Sequence, residues 1–254
     1  MILAIDIGNS NIMIGGFESG EMTFVINLST KINQTADEYA SKILGALAVH
    51  KIADKTVTGA IISSVVPPLN ATLKESARLL WGIDALTVGP GIKTGLNIHC
   101  DTPSSVGADL ICACVAVHNI YGSPALIIDM GTATKMTVIN AKGAFAGVSI
   151  VPGVIMGLNA LSEQTAQLPK IGLEVPKTVI GKNTADSMRS GVIFGNASMV
   201  DGMIDRIRDE IGIALPIYAT GSAAPLIVPH CRHTITVDAH LVLKGLHLIY
   251  KKNN

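Results

Sequence analysis

The stretch "LAIDIGNSNIMIG", Leu3 to Gly15, decides the fold, because a cousin of it returns as "LIIDMGTATKMTVI", Leu126 to Ile139. Each is an apolar run, then Asp-x-Gly, then a small polar turn, then a second apolar run. Short apolar runs bounded by such turns read as buried strands. The repeat places an aspartate and a glycine at the end of a buried strand twice, about half a chain apart.

Around each copy the pattern continues alike. In the first half, Met1 to Asp6, Ile12 to Phe17 and Met22 to Leu28 are strand-like and separated by Gly-rich turns. "TADE", Thr35 to Glu38, has capping-box spacing and predicts a helix to about His50. "VTGAIISSV", Val57 to Val65, reads as a buried strand stopped by Pro67 and Pro68, and Asn70 to Trp81 as a helix. A short strand "ALTVG" (Ala85 to Gly89), the loop "PGIKTGLNI" and a helix over Val106 to Tyr121 complete the half. The cycle then restarts with strands at Ala125 to Met130, Lys135 to Asn140 and Gly143 to Ile150. A helix from Gly153 to about Gln167 and a long one within Asn183 to Gly212 follow, with Gly191 and Gly195 as candidate bends. "LPIYATGSAAPLI" reads as strand, Gly turn and helix, and "DAHLVLKGLHLIYKK" as a closing amphipathic helix. Strands followed by helices, twice, predict two α/β domains of similar plan, 1–121 and 122–254, the second including the closing helix. They are expected to pack around a cleft.

Composition bounds the function. The chain of 254 residues is 48% hydrophobic and 15% charged, so it can bury a large core. Nineteen basic residues balance nineteen acidic ones, which leaves no basic field for nucleic acid or an anionic membrane. At 4% aromatics, a base-stacking platform is excluded as well. No apolar run is long enough to span a bilayer, and the first strand begins at once, so a cytoplasmic protein is expected. Cys100, Cys112, Cys114 and Cys231 lack paired C-x-x-C spacing and read as small hydrophobes in a reducing compartment. "HCD" (His99 to Asp101) and "HCRH" (His230 to His233) could ligate a metal, but neither has a matching second pair.

The Asp-x-Gly turns carry the chemistry. Gly8 and Gly131 have no Cβ, so a phosphate could approach their backbone closely. Asn9, Ser10, Thr132 and Thr134 add neutral donors, and an aspartate at the strand end can hold hydrated Mg²⁺. Two such turns facing each other would grip a polyphosphate from both sides. The simpler reading of either copy is a hairpin turn alone. A third element, Thr220-Gly221-Ser222-Ala223-Ala224, follows a strand and opens a helix, a geometry suited to the ribose or base of a nucleotide.

Several motifs occur in the order found in type III pantothenate kinases. They are Asp6-x-Gly8-Asn9-Ser10-Asn11, "SSVVPP", "VGPGIKTGLNI", Gly107-Ala108-Asp109, Asp129-x-Gly131-Thr132-Ala133-Thr134, Pro152-Gly153, Gly181-Lys182-Asn183-Thr184 and "LVLKGL" (Leu241 to Leu246). The resemblance covers essentially the whole chain. It implies the actin/Hsp70/sugar-kinase fold with two RNase H-like domains, and a homodimer. It implies phosphorylation of pantothenate by ATP, the first step toward coenzyme A, with Mg²⁺ and a monovalent cation such as K⁺ or NH4⁺.

The resemblance also implies roles for single residues. Asp6, with Gly8, Asn9, Ser10 and Asn11, would place Mg–ATP, Asp6 meeting the Mg²⁺ through water. Asp109 would be the general base for the pantothenate hydroxyl, in a substrate loop with Cys100, Gly107, Ala108 and Leu110. Asp129 would sit by the monovalent cation, with Gly131, Thr132, Ala133 and Thr134 on phosphate. Gly221 would lie on the adenosine side, and Thr184 would reach the partner subunit's pantothenate site.

The chain departs from the family pattern near these positions. Leu110 follows Asp109 where arginine is usual, Cys100 replaces a tyrosine, Lys135 replaces a threonine, and Ser222 replaces a glycine. Arginine can hold a carboxylate through two hydrogen bonds and leucine cannot, so Leu110→Arg is expected to tighten pantothenate binding. Lys135 could bring positive charge to the phosphates, replace the monovalent cation, or be a solvated strand lysine. A non-catalytic member that binds nucleotide or pantothenate, and a kinase of another small hydroxylated acid, stand as alternatives to pantothenate kinase. The apolar positions of the long helix (Met188, Val192, Ile193, Met199, Val200, Met203, Ile204, Ile207) exceed one thin face. They are expected to form the dimer interface, the other possibility being burial inside one subunit.

Overall fold

The computed structural model describes residues 1–52 and 56–254. It divides into two compact units, Met1–Tyr121 with Leu241–Asn254, and Gly122–His240. In the first unit, β1 (Ile2–Ile7), β2 (Asn11–Glu18) and β3 (Glu21–Ser29) form an antiparallel meander. After α1 (Ala36–Val49), β4 (Gly59–Ser64) adds parallel to β1. After α2 (Pro68–Trp81), β5 (Leu86–Thr87) adds parallel to β4, and α3 (Ala108–Ile120) follows. The sheet order is β3-β2-β1-β4-β5.

The second unit repeats the plan. β6 (Ala125–Met130), β7 (Ala133–Ile139) and β8 (Phe145–Pro152) form the meander, followed by α4 (Val154–Glu163) and α5 (Thr184–Ile211). β9 (Ile217–Thr220) adds parallel to β6; α6 (Ala224–Ile227) and β10 (Thr236–Val237) follow, β10 parallel to β9. The order β10-β9-β6-β7-β8 is the first sheet over again. α4 is shorter than its sequence reading, and α5 runs without interruption past Gly191 and Gly195.

Side chains alternate between the two faces of each strand. Leu3, Ile5 and Ile7 of β1 pack with Ile12, Ile14, Tyr39, Ile43, Leu69 and Leu73, which covers one sheet face with α1 and α2. α1 starts at the expected capping box, in which the Glu38 N–H donates to Thr35 Oγ1 and the Thr35 N–H to Glu38 Oε2. In the second unit Leu126, Ile128 and Met130 of β6 pack against α4 and α5.

That packing corrects the interface expected on α5. Met188, Val192, Ile193, Val200 and Ile204 are buried in the core of their own unit, with Met199, Met203 and Ile207 packed against it. A 28-residue helix has enough apolar positions for its own subunit.

The closing helix, α7 (Leu241–Asn253), belongs by its packing to the first unit, not to the second half where chain order puts it. It lies against α3 and β1. Leu241, Val242, Leu243, Leu246 and Ile249 are its buried face. α3 is buried nearly all round, from Cys112 to Val117. The two helices touch at Gly245, where a Cβ would stand 1.9 Å from the Cys112 carbonyl oxygen. Backbone cannot yield there as a side chain could. We therefore expect Gly245→Ala to prise α7 from α3 and to cost about 1–3 kcal/mol or more. Urea unfolding measures this as a lower midpoint, and a midpoint equal to that of the unaltered protein would contradict it.

Candidate functional site

In the first unit the functional side chains gather at the C-terminal end of β1. Asp6 alternates away from the Leu3, Ile5 and Ile7 face. The turn after it closes by the Gly8 N–H donating to the Asn11 carbonyl at 3.0 Å. Thr30 braces the turn, its hydroxyl donating to the Gly8 carbonyl at 2.7 Å and its N–H to the Ser10 carbonyl at 3.0 Å. Two turn carbonyls are thus tied down, while Asn9, Ser10 and Asn11 are exposed. Thr30 has no signal in the sequence, since it reaches the turn only through the β2–β3 register.

Asp109 enters from α3. Gly107 is the N-cap of that helix, and Asp109 lies in its first turn, where a carboxylate is favoured by the helix dipole. Its Oδ1 accepts the Leu110 N–H at 2.9 Å and folds over Gly107, where a Cβ would come within 2.4 Å of it. One helical turn on, the Cys112 thiol reports on both carboxylates. Burial pushes its ionisation well above the ordinary range, and the negative charges of Asp6 and then Asp109 push it further. Asp6 of β1 and Asp109 of α3 therefore bear on one buried spot. Cys112 itself is an inert thiol, as is Cys114, which burial raises to about 12.

The rest of the expected substrate loop is less uniform. Ala108 and Gly107 are half-buried beside Asp109, and Cys100 is a half-buried thiol in the loop leading to α3. Leu110 is only 7% exposed. It is a core residue of α3 and presents no surface to an acidic substrate.

In the second unit the corresponding hairpin is tighter. Asp129 lies directly across from Lys135 in the β6–β7 register, and Met130 across from Thr134. Lys135 Nζ stands 2.7 Å from Asp129 Oδ2, with their side chains 17% and 15% exposed. The lysine is a partner of the site's carboxylate and not a solvated strand residue. In the first hairpin the residue across from Asp6 is Met13, which carries no charge.

The third element joins this turn. Gly221 has φ +90°, a region that L side chains rarely adopt, and a Cβ on it would meet the Met130 carbonyl at 2.5 Å and Asp129 Oδ1 at 2.7 Å. The Ala223 N–H donates to the Met130 carbonyl at 3.1 Å. Gly153 closes on the other side, its N–H donating to the Thr132 carbonyl at 3.2 Å. The sequence marked Pro152-Gly153 as a motif without assigning it a place. Thr132 is exposed, Gly131 and Ala133 are half-buried, and Thr134 Oγ1 is buried with no hydrogen-bond partner among the described residues. Such an orphan is what a ligand oxygen would satisfy. Thr184 stands apart from this turn in the chain, exposed as the first residue of α5, which Asn183 caps through a bond from the Asp186 N–H at 2.9 Å.

The donor sets decide which ions these turns suit. Among the described residues no group of three or more His, Cys, Asp or Glu side chains forms a metal cage. Mg²⁺ does not need one, since it is commonly held by one or two carboxylates, waters and substrate phosphates. Asp6, hard and at the mouth of an exposed turn, suits that mode. Asp129 is different, because one of its carboxylate oxygens already meets the Lys135 ammonium, so an inorganic cation there would face a fixed positive charge.

Comparison with known proteins bears on the family and the fold. The model of the type III pantothenate kinase family matches residues 2–206. The type III pantothenate kinase of Halalkalibacterium halodurans is 40% identical over 253 residues, covering 100% of both chains. Among solved structures, a Baf family transcriptional activator from Campylobacter jejuni superposes with a TM-score of 0.61 at 19% identity, covering 99% of this chain and 98% of that one. Component A of the (R)-2-hydroxyglutaryl-CoA dehydratase of Acidaminococcus fermentans does so at 0.59 and 13%, with the same coverage. The fold is that of the actin/Hsp70/sugar-kinase superfamily, two α/β domains of RNase H-like plan. The chain belongs to the type III pantothenate kinase family.

The burial of Leu110 reverses the effect expected of an arginine there. A guanidinium at this position would be a buried charge, so Leu110→Arg is expected to lower the melting temperature and not to tighten substrate binding. A melting curve and a pantothenate titration on the same preparation check it. A variant of unchanged melting temperature that binds more tightly would contradict it.

Proposed function

From that membership we propose that the chain transfers the γ-phosphoryl group of ATP to the primary hydroxyl of pantothenate, giving 4'-phosphopantothenate and ADP. The observation that carries the reading is the pair of carboxylates within one unit, Asp6 at the end of β1 beside its tight turn and Asp109 in the first turn of α3. One carboxylate stands at a phosphate-type turn, the other in the first turn of the buried helix α3. Phosphoryl transfer asks mainly for positioning and charge neutralisation, and both are properties of a preformed site.

In this reading the hydroxyl oxygen attacks the γ-phosphorus as the bond to the β-phosphate oxygen breaks. Asp109 aligns the hydroxyl and accepts its proton. Its Oδ1 is anchored by the Leu110 N–H, which fixes the carboxyl group in place. Asp6, with Gly8, Asn9, Ser10 and Asn11, orients the nucleotide phosphates and holds Mg²⁺ through water. Magnesium, when bound, would neutralise charge on the phosphates. Thr134 and the turn from Gly131 to Ala133 offer hydroxyl and backbone donors to phosphate oxygens, with Gly221 on the nucleoside side.

We also infer a homodimer, on other grounds than α5. Val148 and Ile150 are exposed on β8, an edge strand, and Ile155 and Met156 on α4 directly after it, Ile150 at 61%. An exposed edge strand with apolar side chains is rarely left uncovered. Thr184, exposed at the start of α5, would be open to a second copy. Light scattering at micromolar concentration is expected to give twice the monomer mass, and a monomer would overturn this.

The function is tested by coupled ADP release with pantothenate, ATP and Mg²⁺. Turnover is expected, and it is expected to stop on chelation of the metal. Asp109→Asn keeps the size and the Oδ1 acceptor but removes the proton-accepting charge. It is expected to lower turnover by about 10²- to 10⁴-fold while ADP still binds. Near-normal turnover of that variant would remove Asp109 from the role of base.

A further inference from the structure

We propose that the Lys135 ammonium takes the place of the monovalent cation, so that this chain needs no potassium or ammonium for nucleotide binding or turnover. The inference rests on the function proposed above for its activity readout, and on nucleotide binding alone for its second.

The geometry comes from the hairpin itself. Asp129 and Lys135 are directly opposed across β6 and β7. Opposed side chains in an antiparallel pair share one sheet face and lie close enough to interact. The pair is closed at 2.7 Å, and both side chains are more than four-fifths buried. An ion pair so placed is little screened by salt, unlike one on an open surface. Gly221 shields it further, since its Cα side approaches Asp129 Oδ1 so closely that no Cβ fits.

A free cation would have to compete with a covalently tethered one. A monovalent ion at millimolar concentration pays the entropy of capture each time it binds, whereas Lys135 is delivered by strand pairing when the sheet forms. Potassium beside the same carboxylate would also stand close to the like charge of the ammonium, which opposes its binding. In the first hairpin the residue directly opposed to Asp6 is a methionine, Met13, and not a lysine. Lys135 neutralises the strand-end carboxylate next to Thr134, whose buried hydroxyl awaits an acceptor, so that an anionic phosphate is not repelled from that turn.

The test compares potassium, ammonium, sodium and tetramethylammonium salts at equal ionic strength, always with Mg²⁺. Turnover of the unaltered protein is expected to agree within about twofold across the four, and ADP affinity by calorimetry likewise. Lys135→Thr opens the carboxylate. It is expected to lose about tenfold or more in both readouts in tetramethylammonium, and to recover in potassium or ammonium. Lys135→Arg keeps a charge there and should remain indifferent to the salt. Melting curves confirm that each variant is folded.

Strong activation of the unaltered protein by potassium would overturn the proposal. So would a folded Lys135→Thr protein that matches the unaltered one in every salt, or one whose loss potassium does not repair. If pantothenate is not turned over in any salt, the proposed function fails. The ADP titrations then decide the role of Lys135 alone.

Discussion

Each sheet of this protein is organised by a central strand that is paired on both sides and covered on both faces. β1 lies between β2 and β4, and β6 between β7 and β9. Such a strand has no room for an uncompensated charge along its length. Ile5 and Ile7 on either side of Asp6 are essentially inaccessible, as are Ile128 and Met130 on either side of Asp129. A carboxylate is tolerable only at the last positions, where the chain turns back and the burial relaxes. That constraint puts both aspartates at the same end of their strands and next to a tight turn rich in backbone donors.

The surrounding elements follow from it. A turn that reverses the chain at once needs bracing, and it comes from far along the sequence: Thr30 on the first turn, Gly153 and Gly221 on the second. The helix that carries Asp109 is fixed by burial on nearly every face and by the contact of Gly245 with the Cys112 carbonyl. Asp109 thus stands on a helix held in place by the hydrophobic core. A catalytic carboxylate gains most from such a rigid mount, because misplacement by an ångström can cost orders of magnitude in rate.

The two hairpins are alike in plan and unlike in chemistry. Their loops differ by one residue, which changes who faces the aspartate. Ile7 pairs with Ile12 in the first, and Met130 with Thr134 in the second. The first carboxylate then faces a methionine and the second a lysine. Departures from the family pattern also separate by burial. Leu110 has become part of the core, whereas Lys135 has entered the site by pairing with Asp129.

By itself the sequence determined the strands, most of the helices, the duplication and the two Asp-x-Gly turns. These rest on local signals, such as apolar period, glycine turns and the Thr35–Glu38 capping box, that act over a few residues. It also pointed to Asp6 and Asp129, because carboxylates at strand ends stand out against apolar runs, whereas Asp109 was marked only by the resemblance to type III pantothenate kinases. Only the tertiary structure decided what depends on partners distant in the chain. α7 joined the first unit because its apolar face and Gly245 match α3, a fit invisible to periodicity. The apolar face of α5 went into its own unit because helix length alone cannot say which surface a face will cover. Leu110 and Lys135 exchanged the prominence their residue types predicted. Burial silenced one, and the one-residue difference in hairpin register placed the other 2.7 Å from the carboxylate it neutralises.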